Sequence, residues 1–236
     1  MMKRLAIFLL IAGLIFAGYY VVVKTELLSI QTIEFTANDS MDLYEVERYS
    51  GVKIGDSYFS VNAENAEAGM LTHPLVKSVT VTKQFPQTLK MDIVYRTHFF
   101  NIQYSDLVLS VDENLIVLDV LDEPTSGYVV EGFRFDSFAT GQAVQGEKTY
   151  LLSNVVDLIK LINQSGLEVN QQIVYKDDSI NIYLGDMMVK FGDGESIEYK
   201  FNAFVNIYGS LKAEGITTGV IDVQTKGLPV YRPFGE

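Results

Sequence analysis

The run from Leu5 to Val23, LAIFLLIAGLIFAGYYVVV, holds 19 residues without a charge. As a helix rising 1.5 Å per residue it would span about 30 Å, the thickness of a bilayer's hydrocarbon core. Lys3 and Arg4 precede it; Lys24 follows, with Glu26 close by. The positive charge before the run places residues 1–4 in the cytoplasm and everything after Lys24 outside. Tyr19 and Tyr20 fall near the outer end, where amphipathic rings favour the interface. A cleaved signal peptide would have a shorter apolar core and small residues at its cleavage site. Here bulky Tyr and Val follow Ala17-Gly18, so the expectation is a retained single-pass anchor over residues 5–23. A buried soluble helix fits less well, because no polar stripe marks a surface face.

The 236 residues suffice for one or two domains with real cores. Net charge is −12, and three of the 18 basic residues flank the apolar run, leaving 15 against 30 acids beyond it. An acidic chain with scattered lysines and arginines is poorly suited to nucleic acid, which needs clustered cations against phosphate. The absence of cysteine excludes disulfides, thiolate metal sites and cysteine nucleophiles.

Beyond the anchor, Leu28 to Thr36 is rich in Ile, Thr and Phe and reads as a strand. Asp42 with Glu45 three residues on starts a short helix that Gly51 ends. Asn62 caps a second helix, Ala63 to Thr72, which must stop before Pro74. Then come two alternating runs, VKSVTVTKQ and TLKMDIVYR, joined at Phe85-Pro86. Val79 and Val81 share one face, as do Leu89, Met91, Ile93 and Tyr95, so the pattern is a half-buried antiparallel hairpin. The order strand, helix, helix, strand, strand over 28–96 is a compact α+β module.

From Thr97 onward short strands dominate, around Asp112-Glu113-Asn114, in GYVVEGFRF, and in QIVYKDDSINIYLGDMMVKFGDG with turns at Asp177-Asp178 and Gly185-Asp186. Two helices interrupt: Tyr150 to Ser165, stopped by Gly166, and Ile197 to Glu214, with Ser196 as its cap and Gly215 as its end. The last segment, TGVIDVQTKGLPVYRPFGE, reads as strand, turn, strand. The fold class is therefore α+β: an anchor helix, a β-α-α-β-β module, and a β-rich domain over 97–236 with two later helices.

The search for chemistry yields little. His73 and His98 have no second histidine at ligand spacing, and His73 beside Pro74 reads as an ordinary helix-boundary residue. A serine triad would need no local signature, but the G-x-S-x-G elbow is missing. Gly141 to Thr149, GQAVQGEKT, approaches a phosphate-binding loop, yet Glu147 separates Gly146 from Lys148 and would repel phosphate, so it reads as a turn into the next helix. FGDGES, 191–196, falls short of a calcium loop and reads as a strand-to-helix connection. The expectation is a binding protein, not an enzyme, with no catalytic, cofactor or metal residues.

The ordered segments IQTIEFTAND, GVKIGDSYFSVN, LTHPLVKSVTVTKQFPQTLKMDIVYR and LSVDENLIVL resemble the bacterial cell-division family FtsQ/DivIB. Pro74-Leu75-Val76, Phe85-Pro86 and Arg96 match its pattern, YVVEGFRFDSFATGQAV resembles its glycine segment, and GVIDVQTKGLPVYRPF resembles its terminal strand pair. Tyr95 departs from it, standing where that family commonly has Glu. The resemblance implies a POTRA domain (polypeptide-transport-associated) over 28–96 and a non-enzymatic scaffold of the divisome at the septum. It implies a single-pass protein of the cytoplasmic membrane. Its implied partners are FtsB-like proteins (DivIC in Gram-positive species) and FtsL-like proteins, with other division proteins at the POTRA domain. A partner strand would add at the C-terminal edge along Gly219, Val220, Ile221, Asp222, Val223, Gln224 and Thr225, with Val230, Tyr231 and Arg232 beside it. Gln224 stands where the family often has a basic residue, so backbone pairing should carry more of the affinity. Proline at Val223 is then expected to block pairing by removing a ladder donor. The rival readings are another POTRA-bearing export or envelope-assembly factor, and an exported enzyme with a cleaved signal.

Overall fold

The computed structural model describes residues 2–24, 28–36, 41–225 and 227–234. The chain divides into two units, Met1–Arg96 and Thr97–Glu236. In the first, α1 (Met2–Lys24) is a continuous helix of 23 residues. Its described side chains, Ile7 and residues 9–20, are all exposed. That stretch is shorter than the whole helix, and among the described residues no helix is long and apolar enough to cross a membrane. Met1 of the expected cytoplasmic tail, and Glu26 after the anchor, lie outside the described residues.

The rest of this unit comprises β1 (Thr32–Phe35), α2 (Leu43–Ser50), α3 (Ala63–Met70), β2 (Val76–Gln84) and β3 (Thr88–Tyr95). The element order is the one the sequence predicts. The Asp42 carboxylate accepts the Glu45 N–H at 2.8 Å and opens α2, and left-handed Gly51 closes it. The Asn62 side chain accepts the Asn65 N–H at 3.0 Å and opens α3. The sheet runs β1-β3-β2, with β1 parallel and β2 antiparallel to β3. Val46, Ala66 and Met70 from the helices pack on Ile33, Val81, Leu89, Met91 and Ile93 from the strands. The alternation in β3 thus faces the helices, while Val94, on the other side, is exposed.

One element differs from expectation. Only Thr32–Phe35 joins the sheet. Leu28 to Ile30 instead pairs with the loop before α3: the Tyr58 N–H donates to the Leu28 carbonyl, and the Ile30 N–H to the Asp56 carbonyl, both at 2.8 Å.

The second unit holds β4 (Phe100–Tyr104), β5 (Leu107–Val111), β6 (Val117–Leu121), β7 (Val129–Glu131), α4 (Tyr150–Ser165), β8 (Gln172–Lys176), β9 (Ser179–Leu184), β10 (Met187–Lys190), α5 (Ile197–Ala213), β11 (Gly219–Asp222) and β12 (Val230–Arg232). They form one mixed sheet in the order β12-β11-β10-β9-β8-β7-β4-β5-β6. The parallel pairs β7–β8 and β10–β11 are each joined by a helix, because parallel neighbours cannot be linked by a tight turn. Leu152, Val155, Ile159 and Ile162 of α4 and Phe201 and Phe204 of α5 pack with Ile173, Ile180, Ile182, Val189 and Ile221 of the sheet in one core.

Ser196 does not cap α5. It adopts φ 55°, and its side chain makes no capping bond. The start of α5 is held instead by Lys200, which is 3 % exposed. Its ammonium donates to the Phe191 carbonyl at 2.9 Å and to Asp193 Oδ1 at 3.2 Å. The backbone N–H of Glu195 and the Lys200 ammonium hold the Asp193 carboxyl below its usual range.

Candidate partner-binding site

The segments weighed for chemistry in the sequence are tied into the fold by their own hydrogen bonds. Lys148 of the phosphate-loop look-alike donates to Asp178 Oδ1 at 2.6 Å and to the Tyr175 hydroxyl at 3.0 Å. Those hydrogen bonds raise its pKa well above the ordinary lysine range. In the 191–196 connection, Asp193 accepts the Glu195 N–H and the Lys200 ammonium, and its carbonyl accepts the Asn154 amide. The His98 ring nitrogens lie 2.8 Å from Ser110 Oγ and 3.1 Å from both Thr125 Oγ1 and the Ser126 carbonyl. Ser110 is buried, so this serine–histidine pair offers no open nucleophile. Among the described residues no group of three or more His, Asp or Glu side chains could hold a metal ion.

His73 closes the end of α3. Its Nδ1 accepts the Leu75 N–H at 3.2 Å, and its ring meets Tyr49 edge-on at 4.7 Å. Burial lowers its pKa below 6.5, Glu45 opposes that, and Arg48 adds to it. A histidine with a depressed folded pKa gives stability that is complete above its unfolded value and is lost as pH falls through the folded one. The first unit should therefore weaken as pH drops below 6.5. A His73→Asn variant should show a flatter decline in thermal melts between about pH 7 and pH 5. Equal slopes for both proteins would remove His73 from the account.

The C-terminal strand pair forms as the sequence predicts, but its members are not equivalent. β11 is paired on both sides, parallel to β10 and antiparallel to β12. Ile221 and Val223 are buried in the core. Residues 219–222 are therefore interior strand, and the open edge belongs to Val230, Tyr231 and Arg232. The Val223 N–H already donates to the Lys190 carbonyl at 3.0 Å. Proline there would break this chain's own sheet and could not report on a partner, which corrects the test drawn from the sequence.

Gly219 makes the tight approach of the two strands feasible. Its φ is 127°, and a Cβ there would lie 2.6 Å from the Tyr231 ring and 2.7 Å from the Arg232 carbonyl oxygen. The Tyr231 hydroxyl closes the corner by donating to the Thr218 carbonyl at 2.9 Å. Gln224 takes a local role: its backbone N–H and side-chain amide both donate to the Asp222 carboxylate, at 3.1 and 3.2 Å. Arg232 also faces Asp222, at 3.9 Å, a solvent-facing pair of small energetic weight.

The sequence reading named Val230 but passed over Leu228 and Phe234 on either side of it. Leu228 is 90 % exposed, Val230 45 % and Phe234 60 %. Pro229 joins Tyr199, Ala203 and Ile207 of α5 in lining a groove of about 450 Å³. A signal was available: Pro229 and Pro233 bracket β12, and proline is confined to edge strands. An open strand beside exposed apolar side chains is suited to β-augmentation, in which backbone pairing binds and neighbouring side chains select.

Residues 28–96 match the description "POTRA domain, FtsQ-type". The chain is 24 % identical to cell division protein DivIB of Clostridium botulinum over 212 residues, 88 % of this chain and 83 % of that protein. It is 27 % identical to cell division protein FtsQ of Geobacter sp. over 228 residues, 91 % of this chain and 80 % of that one. With DivIB of Staphylococcus aureus the identity is 22 %, over 81 % of this chain but 43 % of the longer relative. Residues 28–96 thus match an FtsQ-type POTRA module, and most of the chain's length is similar to cell division proteins named DivIB and FtsQ.

Proposed function

We propose that this protein is a non-enzymatic scaffold of the bacterial divisome that acts through extracytoplasmic protein–protein contacts. Its relatives are cell-division proteins. The observation that carries the mode of action is the outer position of β12 beside Leu228, Val230 and Phe234. In this reading residues 5–23 anchor the chain in the cytoplasmic membrane with residues 1–4 inside, and the uncharged helical run supports that role. The POTRA domain, 28–96, and the β domain, 97–236, then work at the septum as separate binding modules. An FtsB- or DivIC-like chain adds a strand outside β12, an FtsL-like chain accompanies it, and other division proteins dock on the POTRA domain.

The test is purification of the full-length protein from membranes of dividing cells, with mass spectrometry of what accompanies it. Small single-pass proteins with coiled-coil sequences, of the FtsB and FtsL kind, are the expected companions. Outer-membrane or secretion components in their place would overturn the scaffold reading. N-terminal sequencing of the same sample should find the start of the chain intact; a mature start near Gly18 would remove the anchor.

A further inference from the structure

The POTRA module carries an exposed aromatic cluster at one end. The Tyr58 ring meets Phe59 edge-on at 5.6 Å and Phe85 edge-on at 5.9 Å. Phe59 is 67 % exposed and Phe85 72 %. The Lys83 ammonium lies 4.8 Å from the centre of the Tyr58 ring and donates to the Val61 carbonyl at 2.8 Å. Large aromatic side chains so open to water mark a surface meant to be covered.

This end is also where the chain enters the module. The Gln31 and Thr32 N–H groups donate to the Gln87 carbonyl, at 2.8 and 3.3 Å, so the start of β1 lies against the hairpin turn that bears Phe85. The Tyr58 N–H donates to the Leu28 carbonyl, so the aromatic loop lies against the entering chain. Only three residues separate Lys24, the last of α1, from Leu28. Four Cα–Cα steps reach at most about 14 Å. The cluster is thus tethered next to the end of α1, just past its uncharged run.

We infer that Phe59 and Phe85, with Lys83 beside them, form a foot that seats the POTRA module on the outer lipid interface of its own membrane. The inference rests on the retained-anchor reading proposed above. Three observations select lipid as the occupant. The tether keeps the foot near the bilayer surface. Ring-and-cation pairs are the side chains that headgroup regions favour. The local charge is also permissive: segments 53–60 and 83–87 hold two lysines and one acid, in a chain with 30 acids. Apolar rings enter the headgroup–acyl boundary while the lysine stem lies along it. Seating here fixes the height and tilt at which the module presents its helices and sheet edges.

The chain contains no tryptophan, so a single introduced one reports its own depth without background. Full-length Phe85→Trp and Phe59→Trp proteins are reconstituted into phosphatidylglycerol–phosphatidylcholine vesicles whose acyl chains are brominated near the headgroup. Val94→Trp, exposed and about 20 Å along β3 from the turn, is the reference. Bromine quenching of the two foot positions should exceed that of the reference by at least about threefold, as expected for rings in the interface. Equal quenching at all three positions, in protein that stays with the vesicles through an alkaline carbonate wash, would overturn the foot and leave the anchor standing. Release by the wash would overturn the anchor and the foot together. Equal quenching, with the Phe85→Trp emission shielded from aqueous acrylamide only when other division proteins are added, would assign the cluster to a protein partner and likewise overturn the foot.

Discussion

Replacing Leu228, Val230 and Phe234 together by serine should weaken capture of the strand-donating partner by at least about a hundredfold, some 2.7 kcal/mol. The magnitude follows from burial. Fully covering a Val, Leu or Phe side chain is worth about 1.5–3 kcal/mol; Leu228 and Phe234 begin largely exposed and Val230 a little under half so. Covering half of each gives about 2.3–4.5 kcal/mol, a range that contains the stated loss once part of it is offset by ordering the interface. The same exposure protects the fold, because substitutions at open surface positions usually shift stability by within about 0.5 kcal/mol. The melting temperature of the triple variant should therefore stay close to that of the parent. The measurement is titration calorimetry of both proteins against the partner recovered by co-purification. Unchanged affinity in a folded triple variant would remove the C-terminal edge as the docking site.

A second large effect is expected inside the POTRA module. Gly69 lies in α3, where a Cβ would overlap the Tyr49 carbonyl oxygen at the end of α2. Two helices of eight residues each cover this small sheet, and their approach leaves no room for a methyl group. Gly69→Ala gains about 1 kcal/mol of helix propensity but must force backbone apart, for a net loss of about 2–3 kcal/mol. In a module of this size that lowers the melting temperature by roughly 10–20 °C. Gly209→Ala in α5 supplies the contrast, since its added Cβ meets nothing within 4 Å. It should be neutral or stabilise the second unit by up to about 1 kcal/mol. Calorimetric scans of both variants make the comparison; a Gly69→Ala protein that melts like Gly209→Ala would show that the α2–α3 contact yields easily.

Where a single periodicity and a local capping signal agree, the sequence reading coincides with the structure. Asp42, Gly51 and Asn62 act as local chemistry dictates, and β3 alternates because one of its faces meets helices and the other solvent. The reading was blind to β4. Asn101 sits at the heart of that strand, fully buried, and is satisfied by the backbone of Thr125 and Tyr128. A distant loop therefore makes a polar residue acceptable in a central strand, and no local window shows it. Lys200 is the same lesson on a helix, since a lysine spaced like a surface residue is buried by a carbonyl and a carboxylate elsewhere in the chain. The Ser196 cap failed because the residue takes a left-handed backbone conformation.

The candidate site was half legible. The terminal strand pair could be read from its pattern, but which strand lies outermost could not. β11 becomes interior because α5 carries the chain across to pair in parallel with β10, and that crossover is a tertiary choice. The role of Gln224 was hidden for a similar reason: its amide is committed to Asp222 two residues away, once β11 fixes the turn that follows. The apolar residues flanking β12 look like ordinary hydrophobics in sequence, and only their exposure gives them meaning.

β12 is three residues long. A strand that short offers an incoming chain only a few ladder bonds, each worth about 0.5–1.5 kcal/mol net. Such a joint has a modest lifetime unless side chains or a shared tether reinforce it. On the proposed docking reading, a connection made through this brief strand is released without unfolding either partner, and the length of the last strand then sets how readily such an assembly is recycled.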